Sequence, residues 1–330
     1  MPPPVPLVDP FSRTVRDLRI SVTDRCNLRC RYCMPEEGMT WLPRAEVLSF
    51  EEIERVARVC VERFGFDGIR VTGGEPTVRA NLAVLVEKLA RLGVDLAMTT
   101  NGVSLGLLAG DLRRAGLRRV NISCDSLRAE RFAEVTRRDD LDKVIDGIDA
   151  ALAAGFDPVK VNCVLMRGVN DDEILDLASF GRDRGVTMRF IEFMPLDAAG
   201  AWTSDTVVSL DEIVATIGAV YPLEAAPAPG VAPARRFLYR DGGGEIGVVA
   251  SVTQSFCATC DRVRLTADGQ FRSCLFAVRE ADLRAVLRSG GSDADVAAAI
   301  EAEVGTKWSG HAIGRVAFTR PARSMSQIGG

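Results

Sequence analysis

Three cysteines stand close together near the N-terminus, in the segment CNLRCRYC at residues 26–33. Cys26, Cys30 and Cys33 have the spacing C-x3-C-x2-C, and no fourth cysteine lies nearby. Structural zinc sites normally use four protein ligands, whereas a four-iron cluster held by three thiolates keeps one iron open for a small molecule. The spacing therefore predicts a reactive iron–sulfur site, and a partial zinc loop is the alternative.

A second cysteine triad stands near the C-terminus, in the segment CATCDRVRLTADGQFRSC, and consists of Cys257, Cys260 and Cys274. Zinc completed by His311 or by a carboxylate would also fit this spacing. However, Arg262 and Arg264 follow at the period of two that places side chains on one face of a strand. One guanidinium group can bind two phosphate oxygens at once. The segment therefore predicts a second open cluster beside an anion site.

The composition narrows the possible function classes. A chain of 330 residues with 47% hydrophobic residues can bury a large core, and its net charge of −4 argues against nucleic acid or anionic membrane as a partner. His311 is the single histidine, which disfavours hydrolytic triads and histidine-rich metal sites. No basic leader or apolar run of about 20 residues is present, so we predict a cytoplasmic protein. Disulfides are rare there, which favours metal ligation by the nine cysteines.

Short apolar runs alternate with helical patterns from about residue 18 to about residue 195. The predicted strands cover residues 18–23, 68–74, 95–102, 118–125, 158–165 and 187–194. The predicted helices begin at a capping box, Ser49 to Glu52, and continue at residues 81–92, 105–115, 141–154 and 171–184. Six strand–helix units predict an α/β fold with a parallel sheet, closed into a barrel or a partial barrel whose site lies at the strand C-termini.

Polar residues end several of these strands. The bland interpretation is that polar residues simply begin turns. Asn121, Ser123 and Asp125, however, share one strand face, so we expect this face to line a polar cavity.

The proline-rich stretch at residues 221–236 predicts a linker, and the boundary predicted from it separates residues 1–225 from residues 226–330. Beyond it, residues 244–251 predict a strand, and Asp268-Gly269 predicts the turn of a hairpin.

Two motifs together carry a family resemblance. The first triad, with Tyr32 beside Cys33 and with GGEP (residues 73–76) after the second strand, resembles the radical S-adenosylmethionine superfamily. Longer segments extend the resemblance to the GTP 3′,8-cyclase family: LRISVTDRCNLRCRYCMP, IRVTGGEPTVR, MTTNG, VNISCDSL, VKVNCVLMRGVNDDEI, RFIEFMP, FCATCDRVRLTADGQFRSCLF and the terminal IGG. The resemblance implies a partial (β/α)6 TIM-type barrel with a C-terminal α+β extension that covers its open side and carries the second cluster.

The resemblance also implies roles for particular residues. The first [4Fe-4S] cluster would be held by Cys26, Cys30 and Cys33, and the second by Cys257, Cys260 and Cys274. S-adenosylmethionine would contact the backbone of Tyr32, and Gly74, Ser123 and Met194. GTP would contact Arg19, Arg70, Thr99, Lys160, Arg262, Val263 and Arg264, and Arg189 is added on charge grounds. The tail residues Gly329 and Gly330 would reach the active site and assist catalysis.

The reaction implied by the resemblance is hydrogen abstraction from the ribose C3′ of GTP, followed by bond formation to guanine C8. The product, 3′,8-cyclo-7,8-dihydro-GTP, would pass to a cyclic pyranopterin monophosphate synthase. An external electron donor would be needed, and the chain would be a monomer or a homodimer. One departure is Asp261, where the family usually has asparagine. A radical enzyme with another substrate and a non-enzymatic zinc or iron–sulfur scaffold are the alternative interpretations.

Three further cysteines, Cys60, Cys124 and Cys163, are predicted to be buried small hydrophobes, and His311 is predicted to be structural rather than catalytic.

Overall fold

The computed structural model describes residues 3–196, 200–227, 230–313 and 318–329. Most strands of these residues belong to one large sheet, and β1 and β2 form a separate pair. The strands are β1 (Leu7–Val8), β2 (Thr14–Val15), β3 (Asp17–Ser21), β4 (Gly68–Thr72), β5 (Asp95–Thr100), β6 (Arg119–Ser123), β7 (Val159–Leu165), β8 (Thr187–Glu192), β9 (Leu223–Ala225), β10 (Arg235–Tyr239), β11 (Glu245–Val249), β12 (Arg262–Leu265), β13 (Gln270–Arg272) and β14 (Ala281–Asp282).

Helices follow the central strands and cover the sheet. They are α1 (Phe50–Phe64), α2 (Leu82–Ala90), α3 (Leu105–Arg114), α4 (Ala129–Thr136), α5 (Leu141–Ala153), α6 (Ile174–Arg184), α7 (Leu210–Gly218), α8 (Leu283–Arg288), α9 (Asp293–Val304) and α10 (Met325–Ile328). A search of the described residues finds no helix with the length and hydropathy of a membrane span.

The six strands β3 to β8 lie side by side in chain order, and every neighbouring pair is parallel. Each of β3 to β7 is connected to the next strand through one or two helices, as expected for parallel strands, whose connections must return to the same end of the sheet. The predicted α/β fold with six strand–helix units is therefore confirmed.

The first helix, α1, shows how local sequence determines where a helix begins and ends and which face is buried. Ser49 Oγ accepts the Glu52 backbone N–H at 3.2 Å, and the Glu52 carboxylate accepts the Ser49 N–H at 2.7 Å. Gly65 ends α1 with φ of +72°, a conformation that favours glycine. The apolar positions of the helical period face the sheet and are buried: Ile53, Val56, Ala57 and Cys60.

The C-terminal region adds strands to both edges of this parallel sheet. β11 pairs in parallel with β8, and β12 pairs in parallel with β3. Among the described strands β11 and β12 do not pair with each other, so the barrel stays open between them. Residues 250–261 connect β11 to β12 across the open side. The predicted partial barrel with a C-terminal extension over its open side is thus confirmed.

The proline-rich stretch is less irregular than the sequence predicts. Its first part contains β9 and its end enters β10, which pair with each other and, through β11, join the main sheet. The interpretation of residues 221–236 as a linker was therefore wrong at both ends, because the pairing partners that order these residues lie elsewhere in the chain. The boundary between residues 225 and 226, which falls between β9 and β10, stays a prediction.

A continuous apolar core lies between the sheet and its helices. The three cysteines outside the triads belong to it, since Cys60, Cys124 and Cys163 are at most 1% exposed. Their prediction as buried hydrophobes is confirmed. The hairpin turn at Asp268-Gly269 is also confirmed, because β12 and β13 pair antiparallel on either side of it and Gly269 has φ of +81°.

The core predicts a large difference between two truncations. Phe190 on β8 is fully buried, so Phe190→Ala should lower the free energy of unfolding by about 3–5 kcal/mol. Leu107 on α3 is 89% exposed, and Leu107→Ala should change the free energy of unfolding by less than about 0.5 kcal/mol. Urea unfolding followed by circular dichroism measures both, and similar losses for the two variants would contradict this assignment of the core.

Candidate functional site

A cavity of about 300 Å³ opens at the C-terminal ends of the parallel strands. Side chains from β3, β4, β5, β6, β7, β8 and β12 line it, together with loops that follow these strands. Both cysteine triads face this one cavity: Cys26, Cys30, Cys33, Cys257, Cys260 and Cys274. The structure therefore brings together two groups of thiols that are more than 200 residues apart in the sequence.

The first triad lies on the loop after β3. The backbone N–H of Cys33 donates to the Cys30 carbonyl at 2.9 Å, which folds the loop into a turn. Cys26 Sγ accepts from the Leu28 N–H at 3.4 Å and from the Asn101 amide at 3.7 Å. Burial raises the pKa of Cys26 to about 11 and that of Cys33 to about 12. Uncharged thiols are therefore favoured here unless a cation binds them.

Tyr32, between the last two cysteines, is oriented by an acidic partner. Its hydroxyl donates to Asp125 Oδ2 at 2.7 Å, and the Val164 N–H donates to Asp125 Oδ1 at 2.8 Å. Burial raises the pKa of Asp125 to about 6, although both hydrogen bonds lower it. Asp125, Asn121 and Ser123 all line the cavity, which confirms the prediction that this strand face is polar and faces a cavity.

The GGEP segment closes the wall beside the first triad. A Cβ on Gly74 would lie 2.4 Å from the Arg25 carbonyl oxygen, so this close approach of two loops requires glycine. Glu75 is buried and accepts hydrogen bonds from Thr100 Oγ1 at 2.7 Å and from the Asn101 N–H at 2.6 Å. These bonds tie the ends of β4 and β5 together and hold the Asn101 amide near Cys26.

The second triad comes from two separate segments. Cys257 and Cys260 lie on the segment that crosses the open side of the barrel, and Cys274 follows β13. Burial raises the pKa of Cys257, but hydrogen bonds from His311 and Ser255 outweigh it and lower the pKa to about 6. Burial also raises the pKa of Cys274. The two triads therefore differ electrostatically, since the second has a thiol that ionises near neutral pH.

Each triad suits an iron–sulfur cluster by the chemistry of its donors. Three cysteine sulfurs facing a cavity are the donor set that binds a four-iron cluster at three corners. Among the described residues no three His, Cys, Asp or Glu side chains converge on one point as ligands of a single ion would. A cubane does not need such convergence, because each cysteine binds a different iron.

Three arginines on adjacent strands form the cationic wall of the cavity. Arg264 on β12, Arg19 on β3 and Arg70 on β4 are direct neighbours in the sheet register. Burial lowers the pKa of Arg19 to about 9 and that of Arg70 to about 10. Several of their buried nitrogens lack a hydrogen-bond partner, namely Arg19 Nε, Arg70 Nε and Arg70 Nη1. Like charges in register repel, so an anion bound beside this wall would stabilise it.

Two more arginines extend this charge. Arg262 on β12 lies over the Phe256 ring with its guanidinium carbon 4.6 Å from the ring centroid, and its Nε and Nη2 have no hydrogen-bond partner. Arg189 on β8 also has an unpartnered buried Nε. Across from them, Thr99 and Asn121 are register neighbours on β5 and β6 and line the cavity.

The C-terminal tail enters the same cavity. Gly329 accepts a hydrogen bond from Arg264 Nη1 through its carbonyl oxygen. A Cβ at this glycine would lie 2.9 Å from Thr72 Cγ2, and its φ is +84°. Met325 and Ser326 of α10 line the cavity, and Ser326 hydrogen-bonds Cys33. Gly330 lies outside the described residues.

Most of the predicted site residues line the cavity, and three of the described ones do not: Val263, Lys160 and Gly329. Val263 is fully buried in the core on the opposite face of β12 from Arg262 and Arg264. Lys160 does not line the cavity. It shares a face of β7 with Asn162, which does line it. The remaining predicted residues lie at the cavity: Cys26, Cys30, Cys33, Tyr32, Gly74, Ser123, Met194, Arg19, Arg70, Thr99, Arg189, Arg262, Arg264, Cys257, Cys260 and Cys274.

Sequence reasoning missed several lining residues. Asn101 is not one of them, because it belongs to the polar residues that end the predicted strands, and the ends of parallel strands converge. Phe256, Phe276 and Ser326 carry no comparable signal, since their place depends on how distant loops fold over the cavity. Asp261, the departure from the family pattern, is not a lining residue; its backbone carbonyl accepts the N–H groups of Arg16 and Asp17.

Comparisons with known proteins agree with this site. The model of the Radical SAM superfamily matches residues 20–181, and that of Molybdenum Cofactor Synthesis C matches residues 186–313. The structure of Streptococcus suis SuiB bound to S-adenosylmethionine aligns with a TM-score of 0.60 at 13% identity, covering 86% of this chain and 67% of that chain. At this identity the similarity concerns the fold alone.

Sequence relatives are much closer. GTP 3′,8-cyclase 2 of Mycobacterium tuberculosis H37Rv is 47% identical over 332 residues, which cover 98% of this chain and 92% of that protein. GTP 3′,8-cyclase of Rhodopirellula baltica is 47% identical over 338 residues, which cover 100% of this chain and 94% of that protein. This identity over nearly the whole length, joined to two cysteine triads at one cavity, means that the chain belongs to the GTP 3′,8-cyclase family of radical S-adenosylmethionine enzymes.

Proposed function

We propose that this chain converts GTP to (8S)-3′,8-cyclo-7,8-dihydroguanosine 5′-triphosphate, the first step of molybdenum cofactor biosynthesis. The observation that carries the proposal is one cavity lined by both cysteine triads and by arginines with buried nitrogens that lack a hydrogen-bond partner. The names of the close relatives point to the same reaction. The product would pass to a cyclic pyranopterin monophosphate synthase, and an external donor would supply electrons.

The first triad is assigned to the cluster that binds S-adenosylmethionine. When bound and reduced, this cluster supplies an electron to the sulfonium and so a carbon radical for hydrogen abstraction. The protein residues around it position S-adenosylmethionine: Gly74 allows close approach of the backbone, and Ser123 and Met194 line the adjoining wall. Tyr32, fixed by Asp125, keeps the loop between Cys30 and Cys33 in place.

The arginine wall is assigned to the triphosphate of GTP. A triphosphate carries about four negative charges, and guanidinium groups bind its oxygens in pairs. Arg19, Arg70 and Arg264 offer such groups on adjacent strands, and their unpartnered or crowded charges would be neutralised by the ligand. The second triad, beside Arg262, then lies on the side of the cavity where the guanine would bind a second cluster.

The proposed role of the tail is to order the site. The Gly329 carbonyl accepts a hydrogen bond from Arg264, and Gly329 packs on Thr72, so the tail lies against the cationic wall. Its position also excludes water from this side of the cavity, which protects a radical reaction from side reactions. We keep the division at residues 225 and 226 as part of the proposal, with the barrel before it and the second triad after it.

Activity and metal content test the proposal directly. Anaerobically reconstituted protein given GTP, S-adenosylmethionine and dithionite should form 5′-deoxyadenosine and a cyclised GTP product, detected by mass spectrometry. It should contain about eight irons per chain, four for each cluster. Cys26→Ala and Cys257→Ala should each contain about four and form no cyclised product.

Cys60→Ala is the matched control, because Cys60 is buried in α1 away from the cavity and its loss should leave iron and product unchanged. Zinc in place of iron would contradict the proposed enzymatic function. Formation of 5′-deoxyadenosine with another substrate but not with GTP would favour a different radical enzyme.

The arginine wall predicts selective loss of GTP affinity. Arg19→Gln removes a charged donor to phosphate worth about 1.5–3 kcal/mol, so the Kd for GTP should rise about 10- to 100-fold. The Kd for guanosine, which has no phosphate, should not change. Arg91→Gln, which alters an exposed ion pair with Glu87 on α2, is the control. Equal weakening of GTP and guanosine would contradict the assignment of Arg19 to phosphate.

The charge of Lys160 predicts a pH dependence. Burial, with a smaller effect of Arg189, lowers the pKa of Lys160 to about 8 in the free protein. The Lys160 side chain is therefore a charged ammonium group below this pH and a neutral amine above it. A bound triphosphate favours the charged form. GTP affinity should be constant from about pH 7 to 7.5 and fall as the pH rises from 8 to 8.5, below the pKa of Arg19.

Lys160→Arg should flatten this decline, because a guanidinium holds its proton more strongly. Isothermal titration calorimetry at several pH values measures both curves. A wild-type curve that is flat across pH 8, or one that Lys160→Arg does not alter, would exclude Lys160 from the binding site.

A further inference from the structure

The segment Lys307–His311, with the sequence KWSGH, lies against the second triad. Lys307 is buried, and its ammonium group donates to the Arg262 carbonyl at 2.6 Å. Gly310 approaches Cys257 so closely that a Cβ at Gly310 would lie 3.1 Å from Cys257 Cβ and 3.6 Å from its sulfur. The segment therefore packs closely against the residues around the second triad.

Arg13 fixes this segment to the triad from the other end of the chain. Its Nη1 donates to the Cys257 carbonyl at 2.6 Å and to the Ser309 carbonyl at 3.0 Å, and its Nη2 donates to the Trp308 carbonyl. Asp9 pairs with the same guanidinium, whose side chain is 7% exposed. One buried cation thus connects the N-terminal β1–β2 pair, the loop of Cys257 and the segment before His311.

His311 contacts the triad directly and lines the cavity. Its ring packs against Phe276 with centroids 5.1 Å apart, and its ring and backbone N–H lower the pKa of the Cys257 thiol. The ring nitrogen Nδ1 is buried and has no hydrogen-bond partner. The ring is held in place by its packing on Phe276.

We propose that Arg13 and Lys307–His311 form a clamp that positions Cys257 for the second cluster, and that the His311 ring is a positioning residue that donates to the cluster's thiolate. This inference rests on the proposed function, because it assumes that a cluster binds at Cys257, Cys260 and Cys274. Gly310 allows the approach, Arg13 holds the backbone, and His311 supplies the donor.

The donor has a chemical consequence beyond structure. Hydrogen bonds to the sulfurs of an iron–sulfur cluster are among the factors that set its reduction potential. A donor withdraws charge from the thiolate and so favours the reduced cluster. A residue that served only to fold the C-terminal region would not have this effect. The potential of the second cluster therefore separates the two roles of His311.

Gly310→Ala tests the clamp, because its methyl group would press on Cys257. After anaerobic reconstitution, the variant should contain about four irons per chain instead of about eight, with the first cluster and binding of S-adenosylmethionine retained. Gly106→Ala on α3 is the matched control, since no atom lies within 4 Å of a Cβ at Gly106. Gly310→Ala with about eight irons and an unchanged spectrum of the second cluster would overturn the clamp.

His311→Phe tests the donor, because it keeps an aromatic ring beside Phe276 but removes the N–H. The measurement uses the Cys26→Ala background, in which the second cluster alone remains, and follows its EPR signal during a redox titration. His311→Phe should lower the midpoint potential, and His311→Gln, whose amide can replace the ring N–H donor, should restore part of the shift. An unchanged potential in His311→Phe would overturn the role of the ring.

The starting protein separates failure of this inference from failure of the proposed function. If wild-type protein binds about four irons per chain, the second cluster itself is absent and the proposed function is wrong. If wild-type protein binds about eight irons but the Gly310 and His311 variants behave like it, the clamp alone is wrong. Arg13→Lys, which keeps the charge but cannot reach three carbonyls at once, should show an intermediate iron content that supports the clamp; a full wild-type content would count against it.

Discussion

Buried positive charge without a matching negative partner is the constraint on which this site depends. Arg264, Arg19 and Arg70 stand next to one another on adjacent strands, where like charges repel and burial lowers the pKa of each guanidinium. Asp17 offers Arg19 a carboxylate only at 3.8 Å. Such a wall raises the energy of the free protein, and an anionic ligand lowers it. The folded chain is thus complementary to a polyanion before any ligand arrives.

Three buried carboxylates hold loops together and do not pair with this wall. Glu75, Glu173 and Glu192 are at most 1% exposed, and each accepts several hydrogen bonds from the loops that follow the strands. Glu192, at the end of β8, accepts the N–H groups of Val252 and Thr253 and so fixes the start of the segment that crosses the open side. These buried carboxylates shape the rim, and the arginines are left to face the cavity.

The open barrel explains why two triads can serve one cavity. A closed barrel would complete its ring with hydrogen-bonded strands, but here β11 and β12 stay apart and residues 250–261 pass between them. Cys257 and Cys260 therefore enter the cavity from its side, whereas the first triad stands on a loop above the strands. The N-terminal Arg13 and the C-terminal Gly329 both reach this region, so both ends of the chain contribute to one site.

Local patterns in the sequence determined the strand–helix units, the first triad and the polar face of β6. These features depend on short periods and on spacings within a few residues, so Asn121, Ser123 and the CNLRCRYC loop could be predicted without a structure. The resemblance carried by these motifs then predicted the family and the second triad as a cluster site. The strands β9 and β10 were missed because their order comes from distant pairing partners.

Only the tertiary structure decided which distant residues meet. Parallel pairing of β12 with β3 sets Arg264 beside Arg19, and no local period in the sequence contains that register. The contacts of Arg13 and His311 with Cys257 likewise join segments about 50 to 240 residues apart. Sequence spacing determines which groups one loop can present, whereas the environment of each group depends on long-range pairing and packing, which the fold as a whole must satisfy.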